Sequence, residues 1–165
     1  MFGYKNLKDV LKSKVAGLTD PEDTSNPSKP IFKSVISGKP SKVSFYSGPG
    51  AVILLANAST VNWKGMHKQK RLSVVQGAVL TFIPGDTEDS MDKCLHYSDI
   101  VGDLFEDRYA LGIEGTQVEP VQSMAQGWRI VDLTKATDMN TKQLKKTTTA
   151  ATFFNVYKGK ERMKK

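Results

Sequence analysis

Between residues 31 and 83 the chain breaks into short β-branched or aromatic runs, and this punctuation limits the fold more than any other feature. The runs are Ile31–Ser37, Val43–Ser47, Ala51–Ala56, Leu72–Val75 and Ala78–Ile83. Between and after them stand Gly38-Lys39-Pro40, Gly48-Pro49-Gly50, Gln76-Gly77 and Pro84-Gly85. Glycine supplies positive φ and proline removes a ladder donor, so these separators read as turns. Spacing this tight predicts antiparallel hairpins. The polar stretch from Ser59 to Arg71 lacks the strand pattern and reads as a long basic loop or an irregular edge.

Helical spacing bounds the strand-rich region. Tyr4, Leu7, Leu11, Val15 and Leu18 recur at intervals of three and four, with Lys5, Lys8 and Lys12 along the flank. Such a basic amphipathic helix packs on a core, docks on a partner or lies on an anionic membrane surface. From Thr19 to Pro30 the composition turns polar around Pro21, Pro27 and Pro30, which reads as a linker and makes residues 1–18 an arm. Met91, Leu95, Ile100, Val101, Leu104 and Phe105 predict one helix, or two if Gly102 interrupts it. Strands resume at Tyr109–Ile113, Gly127–Leu133 and Thr147–Tyr157, with a short helix after Asp138. The predicted fold class is α+β: a mostly antiparallel sheet or small sandwich, an N-terminal helical arm and peripheral helices. The core domain spans 31–157 and a basic tail 158–165; barrel closure is left open.

Charge is sorted along this framework. Residues 24–85 carry eight Lys/Arg and no Asp or Glu, residues 86–119 carry ten acids and two bases, and residues 120–165 carry ten bases and three acids. Soluble domains normally interleave their signs, so blocks of this length predict opposite faces on one molecule. The net charge of +7 favours anionic partners.

Catalytic motifs fare poorly. Neither glycine turn supplies the lysine of a phosphate loop, and no Gly-x-Ser-x-Gly elbow is present. Cys94, His67 and His96 are too few for structural zinc. Cys94 with a histidine base would need a lowered thiol pKa, whereas the surrounding acids raise it. A calcium loop starting at Asp86 fails at Met91 and Tyr97. No cofactor and no metal are expected, and the acids near residue 88 read as a solvated helix start.

Cations interleaved with rings are better supplied. Trp63, Lys64, Lys68, Lys70 and Arg71 form one group; Lys142, Lys145 and Lys146 a second; Lys158, Lys160 and Arg162, following Phe153, Phe154 and Tyr157, a third. These are the candidate nucleic-acid or polyanion contacts. Asp86, Glu88, Asp89, Asp92, Asp99, Asp103, Glu106 and Asp107 are the candidate acidic self-association face. The sequence thus predicts a non-enzymatic basic protein that binds nucleic acid or nucleoprotein and assembles with copies of itself, an organisation that suits viral coat or matrix packaging. Its alternatives are a single-strand-binding module of oligonucleotide-binding-barrel type and a peripheral membrane protein. The lone Cys94 fits a reducing compartment, cytosol or nucleus (virion-associated if viral). No run is long enough for a signal peptide or a bilayer span, so neither secretion nor integral membrane insertion is expected.

Overall fold

The β-branched runs assemble into fewer and longer strands than their glycines suggest. The computed structural model describes residues 3–38, 48–64, 68–85, 87–121, 128–130 and 147–163, with side chains in all of these but 57–72, 128–130 and 160–163. The elements are α1 (Tyr4–Ala16), β1 (Ser34–Ser37), β2 (Gly50–Lys64), β3 (Lys68–Pro84), α2 (Glu88–Leu104), β4 (Thr116–Pro120), β5 (Trp128–Ile130) and β6 (Thr147–Met163). The sheet order is β1-β2-β3-β6-β4, and β5 shares the β6 edge with β4. All pairings are antiparallel except β1 with β2, which is parallel and departs from the hairpin expected there. The fold is α+β with a mostly antiparallel sheet, and among the described residues that sheet is open.

Two predicted strands merge because Gly77 is a packing glycine. The ring of Phe154 lies over it in the neighbouring strand, and a Cβ built there would overlap the ring. Strand β3 therefore runs unbroken through Gln76-Gly77. The segment predicted as a basic loop is likewise the distal half of a β2–β3 hairpin, paired from Ser59↔Val74 to Lys64↔Gln69. The supposed tail from Lys158 continues as strand to Met163, because β3 offers a paired edge as far as Lys68.

Residues directly opposite one another across β2, β3 and β6 form rows, and alternate rows fall on opposite faces. The inner rows carry Ala51, Ile53, Val75, Val79, Phe154 and Val156, which share one hydrophobic cluster with Leu7, Leu11 and Val15 of α1 and Ile100, Val101 and Phe105 of α2. Both helices therefore cover the same face. Phe105 stacks on Phe154 at 4.4 Å between ring centroids, and Ser98 Oγ meets Thr152 Oγ1 at 2.9 Å. Helix α2 is a single helix through Gly102, begun by Thr87 Oγ1 accepting from Ser90 N.

The N-terminal segment is not a free arm. Its apolar stripe, Leu7, Leu11 and Val15, is fully withdrawn from solvent into the shared core, with half-buried Leu18 packed beside it. Tyr4 alone of the predicted stripe is exposed. The proline-rich stretch behaves as a closed strap. Thr19 and Pro30 form a bridge, Ile31 N donates to Leu18 O at 3.0 Å, and the carboxylate of Asp20 takes a 2.9 Å hydrogen bond with His96 Nε2 on α2. A strap whose ends meet returns the helix to the sheet.

Tyr109–Ile113 forms turns where a strand was predicted. Asp107 Oδ1 accepts from Tyr109 N, and Gly112 and Gly115 hold φ of 63° and 70°, which extended backbone excludes. Strand β4 follows and pairs with β6. The predicted strand Val43–Ser47 and the helix after Asp138 lie outside the described residues.

Candidate nucleic-acid interface

The hydrophobic cluster ends at the row Ala58–Val75–Val156, yet the three strands continue. About seven further residues of β3 extend the sheet by about 23 Å, forming a tongue. Its inner rows change character at once. They are Thr60–Ser73–Lys158, Asn62–Arg71–Lys160 and Lys64–Gln69–Arg162. Five cations thus occupy three successive rows of one face, with no Asp or Glu among them.

Sequence reading found these residues but placed them in two unrelated groups, a loop and a tail. The β3–β6 register joins the groups, since Arg71 faces Lys160 and Gln69 faces Arg162. It also divides the first group. Trp63 and Lys70 share a row with Glu161, and Lys68 is opposite Met163, so all three belong to the outer rows. A stacking platform needs its ring beside the backbone-binding cations, and the pleat puts Trp63 on the other face from Lys64, Arg71, Lys160 and Arg162. Phe154 belongs to the core, Phe153 lies on an outer row, and Tyr157 Oη accepts from Asn155 Nδ2 at 3.3 Å. Lys142, Lys145 and Lys146 lie outside the described residues.

The acidic block is displayed on the outside of α2 and the turn after it. Glu88 and Asp89 fill the first helical turn, Asp92, Asp99 and Asp103 follow along the solvent side, and Glu106 and Asp107 continue it; all are exposed. Among the described residues none of these carboxylates pairs with a lysine or arginine. Asp86 lies outside the described residues.

The groups once weighed for catalysis diverge. Cys94 is fully buried between α2 and the sheet, its thiol directed at the carbonyls of Thr81 and Thr148 at 3.6 and 3.7 Å. Burial pushes that thiol up to about 12, outweighing a stabilising backbone hydrogen bond. His96, two residues on, projects to the strap, where its hydrogen bond holds the Asp20 carboxyl below its ordinary value. His67 lies outside the described residues. No cluster of metal-ligating side chains occurs among the described residues.

A cleft of about 610 Å³ between the strap and α2 escaped the sequence reading because its walls are far apart in the chain. Lys29, Lys33 and Lys93 line it with Phe32 and Tyr97, but so do Asp20 and Asp23. The mixed signs make it a poorer track for a polyanion than the tongue. Comparison of the sequence with models of known protein families and with curated proteins finds no match.

Proposed function

We propose that this chain is a non-enzymatic, nucleic-acid-binding structural protein whose tongue neutralises phosphates through Lys64, Arg71, Lys158, Lys160 and Arg162. The observation that carries the reading is the acid-free inner face created by the β3–β6 register. Phosphate neutralisation by dispersed cations needs no base-reading motif and no bound cofactor, and it gives sequence-independent, salt-sensitive affinity. The exposed carboxylates of α2 supply a second face of opposite sign, on which a neighbouring copy's cations have a place to bind. A chain that binds nucleic acid on one face and its own copies on another suits a coat or matrix role in packaging nucleoprotein.

Binding to single- and double-stranded oligonucleotides across a salt series tests the reading. Five phosphate contacts give a slope of log K against log salt of about −3.5 on single strands and about −4.5 on duplex. Replacing Arg71, Lys160 and Arg162 together by Glu should abolish binding at moderate salt. Replacing Lys68 and Lys70 by Glu, on the outer rows, should weaken it only slightly. Equal losses from both sets would remove the inner face as the site.

A further inference from the structure

The cleft between the strap and α2 combines both signs of charge with an aromatic wall. Asp20 and Asp23 lie close enough to the phenol of Tyr97 to raise its pKa, with burial as the larger cause. Lys29 is close enough to Asp23 to help lower that carboxyl, after the hydrogen bonds from Ser25 and Asn26. Phe32 meets Tyr97 edge-on at 6.0 Å between ring centroids. Lys33 lays its stem on the Gly48 backbone, where an added Cβ would come within 2.9 Å of Lys33 Cδ. A smaller cavity of about 460 Å³ opens beside the cleft and shares Gly48, Pro49 and Lys93 with it, but neither strap carboxylate. The Lys93 end of the cleft therefore points away from the carboxylates. Asp89, one turn before Lys93, lines only the smaller cavity.

The polar groups have bonding capacity left. Asp20 Oδ1 accepts from His96 and Glu22 N, and Asp23 Oδ1 accepts from Ser25 N, Ser25 Oγ and Asn26 N. Among the described residues the Oδ2 atoms of both carboxylates accept no hydrogen bond, and neither Lys29 nor Lys93 has a carboxylate within ion-pair distance. Lys93 Nζ instead stands 5.5 Å from the centre of the Tyr97 ring. A cation–π contact at an exposed site is weaker than a charge-assisted hydrogen bond to phosphate, so an arriving phosphate draws this ammonium off the ring.

We infer that the cleft binds a single nucleotide, its base beside Tyr97 and the two carboxylates and its phosphate on Lys33 and Lys93. The mixed signs that repel a polyanion suit a molecule charged at one end only. A base is neutral and flat, and the exocyclic amino groups of cytosine and adenine donate to carboxylate oxygens. Phosphate takes the lysines as point charges. The volume of about 610 Å³ lies in the ordinary range of ligand pockets. The same chemistry comes from a free nucleotide or from the 5′-terminal nucleotide of a strand. The site uses none of the tongue cations and stands apart from the binding proposed for them.

The test is calorimetric titration of full-length, nuclease-treated protein with cytidine 5′-monophosphate, uridine 5′-monophosphate, cytidine and inorganic phosphate. The cytidine nucleotide should bind about fivefold or more tighter than the uridine nucleotide, whose base lacks the amino group. Lys93→Glu, at an exposed position, should weaken the cytidine nucleotide by about tenfold or more and leave cytidine unchanged. Continued protection of buried Cys94 reports that the variant is folded. The protein with Arg71, Lys160 and Arg162 replaced by Glu should bind the nucleotide as the native protein does. In that background, preference for a 5′-phosphorylated over a 5′-hydroxyl oligonucleotide assigns the site to a strand end, and nucleotide binding without that preference assigns it to free nucleotide. Absence of nucleotide binding, equal affinity for nucleotide and inorganic phosphate, or an unchanged affinity in Lys93→Glu overturns the inference. Loss of nucleotide binding with the tongue cations overturns it too and leaves the proposed nucleic-acid site standing.

Discussion

Gly77 and Phe154 act as one unit. The ring fills the space that a side chain on the facing strand would occupy, and Phe105 stacks on it from α2. Gly77→Ala should therefore cost about 1–3 kcal/mol by overpacking, and Phe154→Ala about 3–5 kcal/mol by leaving a cavity. Urea denaturation distinguishes the two, and a neutral Gly77→Ala would refute the packing role of that glycine. Cys94 is predicted to resist thiol reagents in the folded protein and to react fully in denaturant. Its raised pKa also has a consequence for stability. The unfolded thiol ionises from its ordinary value of 9.0 and the folded one only near 12, so between those values the unfolded state binds fewer protons. Stability should fall as pH rises from 9 towards 12, and Cys94→Ala should remove that part of the decline.

The strap owes its shape to polar contacts at the level of the element. Asp20 accepts from Glu22 N, Asp23 accepts from Ser25 N and Asn26 N, and His96 ties the loop to α2. The Asp20 carboxyl is lowered chiefly by its hydrogen bond to His96. A lowered carboxylate contributes stability above its unfolded value of 3.8 and loses that contribution as pH falls through the lower folded value. Proteolysis within the strap should therefore rise on strong acidification, and in Asp20→Asn it should be raised already at neutral pH. An unchanged cleavage rate in that variant would exclude the strap–helix tie. At the start of α2, Thr87→Ala should cost about 1 kcal/mol through loss of the cap to Ser90 N. No helix among the described residues is long and apolar enough to cross a membrane, and the buried stripe of α1 leaves little for an interface helix to insert.

At the scale of the molecule, apolar core and cations occupy successive stretches of one face of the sheet. Helices, strap and acidic stripe gather around one part of its inner face, and the cations gather on the same face where the core has ended. If the tongue is the binding surface, replacing Arg71, Lys160 and Arg162 should reduce the salt slope by about two to three units. The melting temperature should change little, because these rows lie beyond the hydrophobic cluster. A large loss of stability with an unchanged slope would make those cations structural.

The fold class, the two helices and the segregation of charge were legible in the chain, because periodicity and composition are local properties. Leu7, Leu11 and Val15 announced a helical stripe, and the acid-free stretch announced a basic surface. What the stripe packs on, and which cations share a face, was decided by tertiary structure. Polar runs such as Asn62–Lys64 and Lys68–Arg71 have no strand signature of their own; they are extended because neighbouring strands satisfy their backbone. Gly77 resembles a turn until the ring of Phe154 fills its place. The pleat then sorts each side of the hairpin by alternation, so that Arg71 joins Lys160, nearly ninety residues away, and parts from its neighbour Lys70. Pairing register is a relation between distant segments, and no local pattern specifies it.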